Sequence, residues 1–116
     1  MFDKISYLIV IVSDMKRSVE FYRDTLGLPL KFESPGWSEF VTPGTTLALH
    51  AETEQKKAQP GGISFGLSTN NLDEAYETLK ARGVQFVMPP TQQDFGGRLA
   101  VFLDPDGYSI PVSDHH

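Results

Sequence analysis

Residues 13–22 have the sequence SDMKRSVEFY, and residues 70–79, fifty-seven positions later, have the related sequence NNLDEAYETL. Asp14 in the first segment and Asn71 in the second can cap a helix, because their side-chain oxygens accept hydrogen bonds from free backbone N–H groups. Apolar residues then follow at helical spacing, and a glycine suited to a helix C-terminus comes soon after each segment. The repeat predicts two copies of one module, each with one helix.

Segments rich in β-branched and aromatic residues precede and follow both predicted helices. Strands are predicted at 5–12, 28–33, 37–42 and 46–51 in the first half, and at 63–69, 85–88, 98–103 and 108–112 in the second. The polar segment 52–61 ends in Pro-Gly and is predicted to be a surface linker. The order βαβββ thus occurs twice, and we expect one domain over 1–116, with module one at about 4–51 and module two at about 62–114.

The composition is typical of a globular protein, with 40% hydrophobic and 22% charged residues. The net charge of −5 lacks the basic character that nucleic-acid binding requires, and the absence of cysteine excludes disulfides and thiolate ligands. The apolar stretch near the N-terminus has no signal-peptide features and is far shorter than the roughly 20 residues that span a bilayer. We therefore expect a soluble cytoplasmic protein with no nucleic-acid or membrane partner.

Several short motifs occur in a fixed order around the two modules: Asp14, Ser18, Phe21-Tyr22, Leu26-Gly27 and Asp104-Pro105-Asp106-Gly107. With these motifs the chain, over roughly residues 4–114, resembles the vicinal oxygen chelate superfamily, which includes glyoxalase I, extradiol dioxygenases, fosfomycin-resistance enzymes and bleomycin-resistance proteins. The resemblance implies an α+β fold in which the two βαβββ modules form a cupped, mostly antiparallel sheet with helices on the outer face. It also implies a homodimer, in which the modules pair within one chain or are swapped between chains.

Metal-using members of that superfamily place ligands at four positions, which correspond here to Tyr7, Ala48, Ser64 and Pro111. The enzymes usually have His at the first and third of these positions and Glu at the fourth. Alanine and proline side chains have no donor atom, and serine and tyrosine are weak ligands for divalent metals. The resemblance and these residues together predict no metal at the usual place and no cofactor.

His50 is the residue that challenges this prediction, because strand alternation places it on the same face as Ala48. It is either a polar residue in the wall of a ligand pocket, a ligand of a displaced metal site that includes Tyr7, or an inert histidine at a strand end. The alternation also predicts that Leu47, Leu49 and Ala51 pack beneath the helices. His115 and His116 are predicted to belong to a disordered tail or a cloning remnant.

Three further residues are candidates for the pocket, each with two interpretations. Trp37, the single tryptophan, either stacks on a planar ligand or packs in the core or a dimer contact. Arg98 either anchors an anionic group or lies on the surface. Pro111 donates no N–H, so it is predicted at a sheet edge or a bulge. Glu39 lies on the strand face opposite Phe40, and its orientation stays open.

The sequence favours a metal-independent small-molecule binding protein that resembles the bleomycin-resistance proteins, which sequester a ligand. The alternative is a lyase or dioxygenase-type enzyme with a displaced metal site near His50, and a third hypothesis is a dimeric scaffold with a vestigial cup. No catalytic residue is assigned, although Tyr7 and His50 are candidates for acid–base chemistry. The predicted ligand pocket contains Tyr7, Trp37, Ala48, His50, Ser64, Arg98 and Pro111.

Overall fold

The chain forms two structural units, Met1–Gln59 and Pro60–His116, in a computed structural model that describes residues 1, 5–60, 65–93 and 97–114. Each unit has the element order βαβββ and one four-stranded mixed sheet. The predicted α+β class and the duplicated βαβββ module are therefore confirmed.

The first unit contains one helix and four strands: β1 (Tyr7–Val12), α1 (Met15–Glu20), β2 (Leu30–Phe32), β3 (Trp37–Phe40) and β4 (Thr46–Ala51). Its sheet has the order β1-β4-β3-β2, in which β1 is parallel to β4 and the other neighbours are antiparallel. The core consists of buried residues of the strands and of the helical segment that follows β1: Val10, Val12, Phe40, Leu47 and Leu49 from the strands, and Val19 and Tyr22 from the helical segment.

Helix α1 is shorter than the sequence predicts, because it widens into a π-helical turn over Phe21–Thr25. In that turn the backbone N–H of Leu26 donates to the carbonyl of Phe21, five residues earlier, at 2.9 Å. Gly27 follows with a φ of +82°, a conformation that glycine adopts without the steric cost of a Cβ. The chain then enters β2.

The second unit repeats the arrangement: β5 (Leu67–Ser68), α2 (Leu72–Ala81), β6 (Phe86–Gln92), β7 (Arg98–Leu103) and β8 (Ser109–Ser113). The sheet order is β5-β8-β7-β6, again with one parallel and two antiparallel pairings. The core beneath α2 consists of alternate strand residues and the apolar side of the helix: Leu72, Leu79, Val84, Ala100, Phe102, Ile110 and Val112.

The predicted helix caps are present in both units. Asp14 Oδ1 accepts a hydrogen bond from the backbone N–H of Arg17 at 3.1 Å, and Asn71 Oδ1 accepts one from the N–H of Glu74 at 3.1 Å. Gly83 follows α2 with a φ of +87°. These interactions are local in sequence, which is why the repeat alone predicted them.

Two strand predictions in the second unit need correction. Strand β6 continues through Pro89 and Pro90 to Gln92, because register shifts on either side of Met88 accommodate the prolines in an edge strand. Pro111 lies at neither an edge nor a bulge, since β8 is an interior strand in continuous register with β7. It is tolerated because, among the described residues, the ladder from β5 to β8 begins only at Val112.

Candidate functional site

The sheet of the first unit has a second face, opposite α1, that we call the open face and define by Tyr7, Ile9, Trp37, Glu39 and His50. Alternation and register place these residues together: β4 lies between β1 and β3, so His50 is paired with Trp37, and Ala48 is paired with both Ile9 and Glu39. Tyr7 and Ile9 are each 49% exposed. The open face thus presents rings and an aliphatic side chain to its surroundings, with a carboxylate among them.

Trp37 is the centre of the open face. Its ring centroid lies 6.0 Å from that of Tyr7 and 5.9 Å from that of His50, and both contacts are edge-to-face. Its indole Nε1–H donates a hydrogen bond to Glu39 Oε2 at 2.8 Å. Contacts with three neighbours therefore restrict the orientation of the indole.

Glu39 is a further functional candidate, and the structure places its side chain on the open face. It is only 8% exposed, although it belongs to the open face. A buried carboxylate is stable only when it is hydrogen-bonded or paired, and here its partners are the Trp37 indole and the ammonium of Lys31, whose Nζ lies 3.9 Å from Oε1. The signal that points to Glu39 is its spacing of two residues from Trp37, which puts both side chains on one side of a strand.

His50 is held in one tautomer by its own strand. Its Nδ1 lies 2.6 Å from the carbonyl oxygen of Ala51. Because a carbonyl can only accept a hydrogen bond, Nδ1 must carry the proton, and in the neutral ring Nε2 is then the acceptor. His50 therefore presents a hydrogen-bond acceptor on the ring that packs against Trp37.

The positions that correspond to the family's metal ligands do not fit a divalent cation. Ala48 is fully buried beside Ile9 and Glu39, and neither it nor Pro111 has a donor atom. Tyr7 is a weak ligand, and Ser64, the other weak candidate, lies outside the described residues. Within residues 5–60, 65–93 and 97–114, the structure contains no group of three His, Cys, Asp or Glu side chains that could hold a metal ion.

Arg98 is engaged by two carboxylates of the second unit. Its guanidinium donates to both oxygens of Asp73 at 3.0 and 3.1 Å, and its Nε lies 3.4 Å from Asp114 Oδ2. The hydrogen bond and charge of Asp73 raise the pKa of Arg98, while the Arg98 backbone N–H, 2.8 Å from Asp114 Oδ1, lowers the pKa of Asp114. An anionic ligand would have to compete with both carboxylates for this guanidinium.

Within the first unit, the structure brings together four residues of the predicted pocket. Tyr7, Trp37 and His50 are in mutual contact through the Trp37 ring, and Ala48 lies on the same face. Arg98 and Pro111 belong to the second unit, where Pro111 is paired with Val101 on β7. The two terminal histidines lie outside the described residues.

In the described part of the chain, no helix is long and apolar enough to cross a membrane. The helices are the six-residue α1 and the ten-residue α2, the latter amphipathic and packed on its own sheet.

Comparison with known proteins gives consistent matches over nearly the whole chain. Residues 4–112 match the model of the Glyoxalase/Bleomycin resistance protein/Dioxygenase superfamily. The Metallothiol transferase FosB of Staphylococcus haemolyticus is 30% identical over 93% of this chain and 81% of its own length.

Two solved structures have the same fold as this chain. A member of the Glyoxalase/bleomycin resistance protein/dioxygenase superfamily from Sphaerobacter thermophilus has a TM-score of 0.81 and 31% identity, covering 97% of both chains. TnmS3, an antibiotic binding protein from Streptomyces sp. CB03234, also has a TM-score of 0.81, with 29% identity over 96% of this chain and 94% of its own.

Proposed function

The chain belongs to the Glyoxalase/Bleomycin resistance protein/Dioxygenase superfamily, and we propose that within it this protein binds a planar small molecule, without a metal, on the open face of its first unit. The observation that carries the proposal is the fixed indole of Trp37, bounded by Tyr7, His50 and Glu39. Small-molecule sites typically combine aromatic and apolar walls with a few orienting polar groups. The similarity to an antibiotic binding protein supports the same conclusion.

The metal-independent part of the proposal rests on the donor atoms. Ala48 and Pro111, at two of the positions where the family places ligands, contribute none. A ligand held by stacking and hydrogen bonds needs no such donors, and the residues of the open face supply both kinds of contact.

Trp37 also makes the proposal directly testable, since it is the single tryptophan and its fluorescence reports on the site alone. We would titrate the protein with three planar probes of different charge: 2-naphthol, anthraquinone-2-sulfonate and 9-aminoacridine. Binding of at least one probe should change the Trp37 emission and raise the melting temperature, because a ligand specific for the native state stabilises it. No change with any probe would contradict the proposal.

Variants separate binding at the open face from binding elsewhere. Tyr7→Ala removes one wall of the site. It should raise the dissociation constant of the tightest-binding probe about tenfold, which corresponds to a loss of roughly 1.4 kcal/mol of binding free energy. The matched control is Tyr76→Ala, the same substitution at a tyrosine of α2 whose ring packs against Phe86 in the second unit. An equal loss of affinity in both variants would contradict a site on the open face.

We propose further that the protein is a homodimer. Strands β1 and β2 are the two edges of the first sheet, and they carry the half-exposed apolar side chains of Ile9 and Phe32. Unpaired strand edges with apolar residues are commonly covered by a partner. Light scattering coupled to gel filtration should give twice the chain mass of 12.9 kDa, and a monomer at all concentrations tested would contradict the proposal.

One observation favours a second candidate function, an enzyme of the lyase or dioxygenase type with a displaced metal near His50. The hydrogen bond to the Ala51 carbonyl leaves His50 Nε2 as the ring atom able to ligate. The test is elemental analysis of a chain ending at Asp114, after incubation with zinc, nickel, manganese or iron(II) salts. One equivalent of metal that His50→Ala loses would support this candidate, and metal far below one equivalent would exclude it.

A further inference from the structure

Each unit has a buried carboxylate, Glu39 in the first and Asp104 in the second, and the two accept hydrogen bonds from different kinds of donor. Asp104 accepts hydrogen bonds from the backbone N–H groups of Asp106 and Tyr108 at 2.9 Å each, so its carboxylate stabilises the turn between β7 and β8. Glu39 is equally buried, but it accepts from a side chain, the Trp37 indole. Its role is therefore tied to the open face and not to a backbone turn.

The second oxygen of Glu39 is only loosely paired. Lys31 Nζ lies 3.9 Å from Oε1, which is beyond hydrogen-bond distance, and the Lys31 side chain is 63% exposed. Exposed lysine–carboxylate pairs contribute little to stability, because water screens the charges and the long side chain loses entropy. Displacement of Lys31 from Oε1 by a ligand cation would therefore cost little free energy. The ligand would gain a charge-assisted hydrogen bond to a carboxylate that is shielded from water.

The surroundings of Glu39 suit the same class of ligand. The Trp37 ring can attract a cation through its π-face, and tryptophan is the best residue for that interaction. His50, with its Nδ1 proton already bound to Ala51, offers an acceptor at Nε2 to a second N–H donor. An anionic group placed here would instead be repelled by Glu39.

Resting on the proposed binding function, we infer that Glu39 selects ligands with a cationic N–H donor group, such as an amidinium or a protonated amine, attached to an aromatic body. The carboxylate would accept the charged N–H group while the aromatic body lies against Trp37 and Tyr7. Glu39 is then the specificity-determining residue of the open face.

The test uses three small probes of nearly the same shape: benzamidine, benzamide and benzoate, which are cationic, neutral and anionic at pH 7. Each is titrated into the ¹⁵N-labelled full chain, and the Trp37 indole N–H resonance is followed, which is the one indole signal because the chain has one tryptophan. That N–H is the donor to Glu39, so its shift reports directly on the carboxylate. Benzamidine should bind at least tenfold more tightly than benzamide, and benzoate should bind more weakly than either.

Three variants assign any preference to Glu39. Glu39→Gln should reduce the benzamidine preference to twofold or less, whereas Glu77→Gln, the same change on the exposed surface of α2, should leave it unchanged. Lys31→Gln should raise benzamidine affinity two- to fivefold, since it removes the competing cation, and it keeps the inference testable if Glu39→Gln does not fold.

Equal binding of benzamidine and benzamide, or a preference that persists in Glu39→Gln, would overturn the inference. If the planar probes of the fluorescence titration bind in that case, the proposed binding function stands and only the charge selection fails. If neither set of probes moves the Trp37 signal, both the inference and the proposed function fail.

Discussion

The indole nitrogen of Trp37 lies 2.8 Å from Glu39 Oε2, which links the only tryptophan of the chain to a carboxylate that is 8% exposed. The two residues are neighbours on one side of β3, so the strand itself sets their separation. The link explains how a carboxylate can be buried on a face that is otherwise aromatic and aliphatic. It also orients the ring on which the proposed ligand would stack.

Breaking this link should destabilise the protein. Trp37→Phe keeps a ring at the site but removes the donor, and it should lower the free energy of unfolding by about 1–3 kcal/mol, because the Glu39 carboxylate loses its hydrogen bond. Urea denaturation of Trp37→Phe, Glu39→Leu and the double variant forms a double-mutant cycle, since leucine has no acceptor for the indole N–H, and we expect the two effects to be coupled by about 1 kcal/mol. Strictly additive effects would show that the hydrogen bond contributes nothing to stability.

The cap of α2 should contribute to stability independently of how the helix packs on its sheet. Asn71→Ala removes the acceptor for the backbone N–H of Glu74 and should lower the free energy of unfolding by about 0.5–2 kcal/mol. Asn71→Asp retains a capping oxygen and places negative charge at the positive end of α2, so we expect stability equal to or above that of the wild type. Thermal or urea unfolding measures the stability of both variants. An equal loss of stability in Asn71→Ala and Asn71→Asp would show that the Asn71 side chain does not act as a cap.

Backbone conformation at the end of α2 provides a third prediction. Gly83 has a φ of +87°, and an added Cβ would meet no atom within 4 Å, so Gly83→Ala tests conformation without a clash. Gly83→Ala should lower the free energy of unfolding by about 1–2 kcal/mol, which is the energetic penalty of the left-handed region for a residue with a Cβ. Gly36→Ala is the matched control, because its added Cβ is equally unobstructed and its φ lies outside that region. A neutral Gly83→Ala would refute the reasoning.

The ion pairs of Arg98 should make stability depend on pH at the acid end. The backbone N–H of Arg98 lowers the pKa of Asp114 in the folded chain, so Asp114 stabilises the fold at pH values above its unfolded pKa of roughly 3.9. That contribution is lost as the pH falls through the lower folded value. Asp114→Asn should therefore unfold with a shallower dependence on pH between about 5 and 2 than the wild type does. Identical slopes would contradict the assignment.

The features that the sequence predicted correctly depend on residues close together in the chain. The caps at Asp14 and Asn71, the left-handed glycines that follow the helices and the duplicated βαβββ order all come from local patterns, and all are present. Strand alternation likewise predicted that Leu47, Leu49 and Ala51 are buried, and it was right for the two leucines, whereas Ala51 at the strand end is half-buried. A cap or an alternating strand involves residues only a few positions apart, so its physical cause lies within the printed sequence.

Contacts between residues far apart in the chain depend on how the strands and helices pack. Arg98 binds Asp73, twenty-five residues away, because β7 begins near the first turn of α2. Pro111 is tolerated in an interior strand because, in the part of the chain that the structure describes, β5 pairs with β8 only from Val112 onward. The environment of Glu39 depends on β4 lying between β1 and β3, an order that places Tyr7, Trp37 and His50 on one surface. Strand order and register arise from the packing of the whole core, and no local pattern contains that information.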